Sequence, residues 1–149
     1  MKIEFDDNYF MSKAIDEAMI ALSKGEVPIG AVIVADNKII ARSHNMVEAL
    51  NDVTAHAEIL AITSASNYIG GKFLENCSIY VTLEPCQMCA GALYWSRISK
   101  IYYGANDPKR GFQILGNKIH PKTKVFGGIL ENECKSLLEK FFISRRNLN

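Results

Sequence analysis

Long apolar runs are missing from this chain. No stretch of its 149 residues approaches the ~18 apolar positions of a membrane-spanning helix. The start, Met1-Lys2-Ile3-Glu4-Phe5-Asp6-Asp7, lacks the apolar core of an export signal. No membrane association is expected, and a cytoplasmic location is. Internal repeats, low-complexity tracts and linker-like segments are missing too, so one domain over residues 1–149 is expected. There is no large excess of one charge: the formal net charge is +1, which by itself does not announce a nucleic-acid binder. Cysteine is sparse, with only Cys77, Cys86, Cys89 and Cys134. Without an export signal, the close pair Cys86 and Cys89 reads better as metal ligands than as part of a disulfide framework. Cys77 and Cys134 read as buried apolar fillers.

The charge that is present is unevenly placed. Residues 1–96 carry 6 Lys and Arg against 12 Asp and Glu, whereas residues 97–149 carry 11 against 4. A basic third of this kind can track phosphates or can simply be a solvated face.

Periodicity places the elements. Phe10, Met11, Ala14, Ile15, Ala18, Met19 and Leu22 recur at helical spacing, predicting a helix over residues 7–24, with Asp6 or Asp7 at its start and Gly25 at its end. Residues 28–35 read as a buried strand, Asp36-Asn37 as a turn, and residues 38–43 as the partner strand of a hairpin. A helix is predicted over residues 54–65, capped by Thr54 and carrying His56 and Glu58. Residues 78–83 read as a strand, and Pro85 opens a short helix, since the first helical turn tolerates a missing N–H. Residues 100–104 and 124–126 read as strands, separated by a polar loop over residues 105–111. The chain ends in an amphipathic helix whose stripe is Cys134, Leu137, Leu138, Phe141 and Phe142. Helices alternating with strands imply an α/β domain with helices on both sheet faces, and the hairpin makes the sheet mixed.

Two short motifs carry chemistry. His56-Ala57-Glu58 and Pro85-Cys86-Gln87-Met88-Cys89 together supply one imidazole, two thiolates and a spare carboxylate. Three protein ligands are the pattern of a catalytic Zn2+, whose fourth position is left to water, whereas structural sites usually take four. His56, Cys86 and Cys89 are therefore the expected ligands, and Glu58 the residue free to move protons. His56 and Glu58 are two residues apart and do not share a helix flank, so the metal is expected off the ends of two helices, where the dipoles favour thiolates. His44 and His120 read as loop or surface histidines. For Glu84, beside the Pro-Cys motif, the residues alone leave structural and supporting roles open.

The spacing H-x-E followed by P-C-x-x-C is the signature of zinc nucleobase deaminases. Several longer segments also resemble the bacterial tRNA-specific adenosine deaminases: Glu26-Val27-Pro28-Ile29-Gly30-Ala31-Val32, Thr54-Ala55-His56-Ala57-Glu58, residues 80–92, and Gly104-Ala105-Asn106-Asp107-Pro108-Lys109. The resemblance runs from the first helix to Phe141-Phe142. It implies a homodimer with a three-layer α/β/α cytidine-deaminase fold, and deamination of adenosine to inosine at the wobble position of a tRNA anticodon stem-loop. It also implies zinc ligation by His56, Cys86 and Cys89, proton shuttling by Glu58, and target-nucleotide contacts from Asn45 and Asp107. Lys109, Arg110, Arg145 and Arg146 are the basic residues expected to contact RNA. One segment departs from the family pattern: Phe112-Gln113 follows Gly111, and the stretch to Val125 is shorter. It lies outside the zinc motifs, in a region that bears on substrate choice.

Three rivals compete. A guanine deaminase, or another free-base or nucleoside deaminase, shares the motifs and is compatible with Tyr94-Trp95. A non-catalytic zinc module that binds RNA would have no use for Glu58. A C-x-x-C thiol oxidoreductase would leave His56 and Glu58 unexplained.

Overall fold

A computed structural model describes residues 3–147. In chain order the elements are α1 (Asp7–Ser23), β1 (Gly30–Ala35), β2 (Lys38–His44), α2 (Val47–Leu50), α3 (Ala57–Ile69), β3 (Cys77–Leu83), α4 (Gln87–Ser96), β4 (Lys100–Ala105), β5 (Lys124–Phe126) and α5 (Glu131–Arg146). The five strands form one sheet in the order β2-β1-β3-β4-β5. β1 is antiparallel to β2 and to β3, while β3, β4 and β5 run parallel. This is the expected mixed α/β sheet.

Alternation along the strands makes two cores, because successive side chains point to opposite faces. Ala31, Ile33, Ile79, Val81, Ile101 and Tyr103 face α3 and α4, and pack with Ala57, Ala61, Ala65 and Leu93. Val32, Val34, Tyr80 and Tyr102 face the other way, and pack with Phe10, Met11 and Ala14 of α1 and Cys134 of α5. The result is three layers, α/β/α. On the α1 side the Tyr80 and Tyr102 rings stack at 4.4 Å between centroids, and the Tyr80 hydroxyl donates to Asp7 Oδ1 at 2.6 Å.

Local signals explain the boundaries. Asp6 caps α1 by accepting the Tyr9 N–H at 2.8 Å. Past its end, Gly25 takes φ +76°, donates to the Leu22 carbonyl, and lets Glu26 donate to the Ala21 carbonyl. The β1–β2 turn places Asp36 and Asn37 at φ +51° and +59°, a left-handed pair that matches strand twist and that these residue types tolerate.

Four expectations are corrected. Thr54 does not cap α3; its N–H and hydroxyl both donate to Asp52 Oδ1, and the helix starts at Ala57 with His56 as N-cap. Pro85 lies outside α4, one residue before the N-cap Cys86. His44 is no loop residue: it closes β2, and its Nδ1 lies 3.1 Å from Glu17 Oε1. Phe142 leaves the α5 stripe and is 51% exposed, whereas Cys134, Leu137 and Phe141 are buried. Cys77 and Cys134 are buried as fillers, and burial pushes the Cys134 thiol up to about 12.

Candidate metal centre

Strand directions bring the motifs together. His44, at the end of β2, pairs with Gly30 at the start of β1, and Ala31 pairs with Val81 near the end of β3. β2 and β3 therefore finish at the same edge of the sheet. Each then feeds a helix on the same face, α3 after β2 and α4 after β3. Helix N-termini at the carboxyl ends of strands are the usual ligand position of α/β sheets.

His56 is the N-cap of α3 and Cys86 the N-cap of α4, and neither side chain caps its own helix. Cys89 lies in the first turn of α4 and is fully buried. His56 Nδ1 is 3.6 Å from Cys86 Sγ and 3.5 Å from Cys89 Sγ, and all three ligand atoms lie within 4.8 Å of one another. Bond lengths near 2.3 Å to sulfur and 2.0–2.1 Å to nitrogen in a tetrahedron give N···S edges of about 3.6 Å. The donor set and its spacing thus fit Zn2+, with one tetrahedral position left over.

These groups hold their protons unevenly. A hydrogen bond from Cys89 holds the Cys86 thiol down at about 4, against burial and with help from His56. The same hydrogen bond, with burial, pushes the Cys89 thiol far up. Of the two thiols, Cys86 is the one disposed to ionise first. Hydrogen bonding to Cys86 raises His56, with burial opposing. Glu58, the second residue of α3, is 4% exposed. Burial pushes its carboxyl up to about 7, with its own backbone N–H pulling the other way and the Cys86 charge adding to the rise.

The remaining expected residues gather at the same sheet edge. Asn45 follows β2 and is buried, its Oδ1 accepting the Val47 N–H at 3.3 Å. Asp107 follows β4, and its Oδ1 accepts the N–H groups of Lys109 and Arg110 at 3.1 and 3.0 Å. Lys109 and Arg110 are exposed on that turn. Arg145 is engaged elsewhere: its guanidinium donates to the Gly25 carbonyl and covers the Phe141 ring at 4.9 Å. That contact still brings the end of α5 to the edge where α1 ends. Arg146 is exposed and takes part in none of the ion pairs among the described residues. His120 is half-buried, and its Nδ1 accepts the Lys122 N–H.

Two buried carboxylates have roles that the sequence pattern does not assign. Glu26 is 2% exposed and accepts the N–H groups of Glu48 and Ala49 at 3.0 and 2.7 Å, holding α2 beside Asn45. Glu84 is 5% exposed and accepts the N–H groups of Asp107 and Gln113, both at 3.1 Å. Each stands close before a proline, at Pro28 and Pro85, but nothing in the sequence pattern separates such an acid from a surface one.

Comparison with known proteins agrees with the geometry. The cytidine and deoxycytidylate deaminase zinc-binding region matches residues 5–105. A tRNA-specific adenosine deaminase of Aquifex aeolicus is 47% identical over 145 residues, covering 93% of this chain and 95% of that protein. A solved structure concerned with A-to-I editing by tRNA:A34 deaminases at the wobble position of transfer RNA superimposes with TM-score 0.83 at 45% identity, over 87% of this chain and 99% of that one. A guanine deaminase of Bacillus subtilis superimposes less fully, with TM-score 0.66 at 40% identity, over 68% of this chain and 66% of that one.

The raised proton affinities of Cys89 and His56 give the first prediction. Thiolate and neutral imidazole are the binding forms, so loading zinc expels the Cys89 proton and, below its raised pKa, the His56 proton. Zinc affinity should therefore rise about tenfold per pH unit for each proton expelled. Competition with a chromophoric chelator between pH 6 and 8 measures this; an affinity flat with pH would show that no ligand proton is expelled.

Proposed function

We propose that this chain, which belongs to the zinc-binding cytidine and deoxycytidylate deaminase family and within it to the tRNA-specific adenosine deaminases, converts adenosine to inosine at the wobble position of tRNA anticodons. The observation that carries this reading is 47% identity, over nearly the whole chain, to a tRNA-specific adenosine deaminase, in a chain that brings His56, Cys86 and Cys89 together and buries Glu58.

His56, Cys86 and Cys89 hold the metal. A bound zinc supplies the Lewis acidity that makes water a usable nucleophile near neutral pH. Glu58 accepts the proton that this water gives up and delivers it to the ring nitrogen beside C6 of adenine. Attack at C6 makes that carbon tetrahedral. The second water proton is released as the carbon–oxygen double bond forms and reaches the exocyclic amine through the same carboxylate. Ammonia leaves and inosine remains. A carboxyl raised to about 7 by burial suits this task, because it both gains and loses a proton readily near neutrality.

An anticodon loop offers an unstacked base, which such a site needs. Asn45 and Asp107 flank the target nucleotide. Lys109 and Arg110 meet the phosphates next to it, and Arg146 meets them farther along the same edge; Arg145 contributes chiefly by fixing the end of α5. The enzyme acts as a homodimer. In support, Tyr68 and Ile69 at the end of α3, Phe73 after it and Trp95 on α4 leave large apolar surface exposed, Trp95 at 77%. A cytoplasmic location accords with a tRNA substrate and with four cysteines that form no disulfide.

Direct assays test this reading. Purified protein should form inosine in tRNA carrying A34, with no ammonia from guanine, adenosine or cytidine. Glu58→Gln should keep one zinc per chain and lose about 10²–10⁴-fold in rate; ammonia from guanine without inosine in tRNA would overturn the reading. Replacing Lys109 and Arg110 together with Ala should weaken RNA binding and flatten its salt dependence by about 1.4 in log–log slope, as for two single-strand phosphate contacts. Light scattering should give twice the chain mass, and Trp95→Arg should shift the protein toward monomer.

A further inference from the structure

Glu84 is a buried carboxyl group that the proton transfers above do not use. The ion pairs found among the described residues do not include it. Burying an unpaired carboxylate is costly unless hydrogen bonds replace its hydration, and here both bonds come from one loop. Oε1 accepts from the Asp107 N–H and Oε2 from the Gln113 N–H, so the carboxylate holds the two ends of that loop together. The Glu84 N–H also donates to the Ala105 carbonyl at 2.8 Å, and Phe112 donates to the Pro85 carbonyl at 2.9 Å. Gly111 pairs with Cys86 in an isolated antiparallel bridge. Gly111 lies so close to the Glu84 carboxyl that any Cβ there would overlap it.

We propose that Glu84 is a positioning residue that locks the loop over residues 105–113 to the metal-bearing Pro85-Cys86 segment, setting where Asp107, Lys109 and Arg110 meet the RNA. Its substrate side rests on the tRNA reading above. The candidate ligand Cys86 and the nucleotide-contacting turn at Asp107 are thereby one hydrogen-bonded unit with Glu84 at its centre. Placement of this kind matters because productive geometry tolerates only about 0.5 Å of error.

The test uses the zinc-loaded protein and an anticodon stem-loop RNA bearing A34. Glu84→Gln keeps one acceptor but turns an amide NH2 toward one of the two main-chain N–H groups, breaking half the clamp with little change in shape. It should retain one zinc per chain and exchange amide hydrogens faster over residues 105–113. KM should rise about tenfold or more, the scale of one missing charge-assisted hydrogen bond. The value of kcat should change less, because a displaced loop weakens the hold on substrate and transition state alike. Gly111→Ala, pressing on the carboxyl from the other side, should give the same exchange pattern. A purely structural role would lower the melting temperature while leaving KM and local exchange unchanged. Loss of zinc, unchanged exchange over residues 105–113, or unchanged KM would each overturn the proposal. If the wild-type protein forms no inosine, the tRNA reading fails by itself, and the exchange of the two variants still decides the clamp.

Discussion

One imidazole nitrogen and two sulfurs have to lie within 4.8 Å of one another, although His56 and Cys86 are 30 residues apart in the chain. The fold meets this demand with two strands that end side by side in space and point the same way. β1 lies between β2 and β3 and runs against both, so β2 and β3 share a direction without touching. Each delivers its chain to the same edge, and each is followed by a helix on the same face. Small side chains let those helices seat closely, with Ala57, Ala61 and Ala65 of α3 buried in the core that also takes Leu93 of α4. Replacing the antiparallel hairpin by a crossover would send β2 the other way and separate His56 from the cysteines.

That geometry is obtained at some cost in helix capping. An N-cap is usually Ser, Thr, Asp or Asn, because its oxygen satisfies an orphan N–H of the first turn. His56 and Cys86 occupy this position and make no such bond. Their side chains turn to the shared centre instead. The positive ends of the two helices then face that centre, which favours the thiolate forms that a zinc ion needs as ligands. Burial acts in the opposite sense on Glu58, two residues into α3, and keeps it able to hold a proton. One pair of helix starts thus supplies a deprotonated sulfur and a protonatable carboxyl side by side.

Much of this is legible in the chain. The H-x-E and C-x-x-C spacings name residue types that only a metal brings together, and the alternation of helices with strands implies a layer of helices on each sheet face. What escapes depends on contacts between distant segments. α2 is four residues long with no buried side chain, and it is held by the carboxylate of Glu26, which lies 22 and 23 residues earlier. No periodicity can announce a helix of that kind. Thr54 has the composition of a cap, but Asp52 captures both its donors, and the helix begins later. His44 reads as a loop residue because its partner, Glu17, belongs to α1 on the far side of a turn and a strand. Phe142 continues a helical spacing but falls on a flank of α5 that is exposed, beside the buried Phe141.

Substrate choice has to arise outside the metal motifs, since a hydrolytic zinc with a proton-carrying carboxylate suits any amine-bearing base carbon. The segment that departs from the family pattern begins at Phe112, whose N–H is held by the Pro85 carbonyl, and ends in β5, which is registered on β4 through Ile101 and Val125. Both ends are therefore tied to parts of the structure that also fix Cys86 and the sheet. Between them the chain makes tight turns, where the Asn117 N–H donates to the Phe112 carbonyl and the Thr123 N–H to the His120 carbonyl. The candidate metal ligands thus sit on helix starts fixed by the sheet, while this neighbouring segment is held at its two ends by Pro85 and by β4.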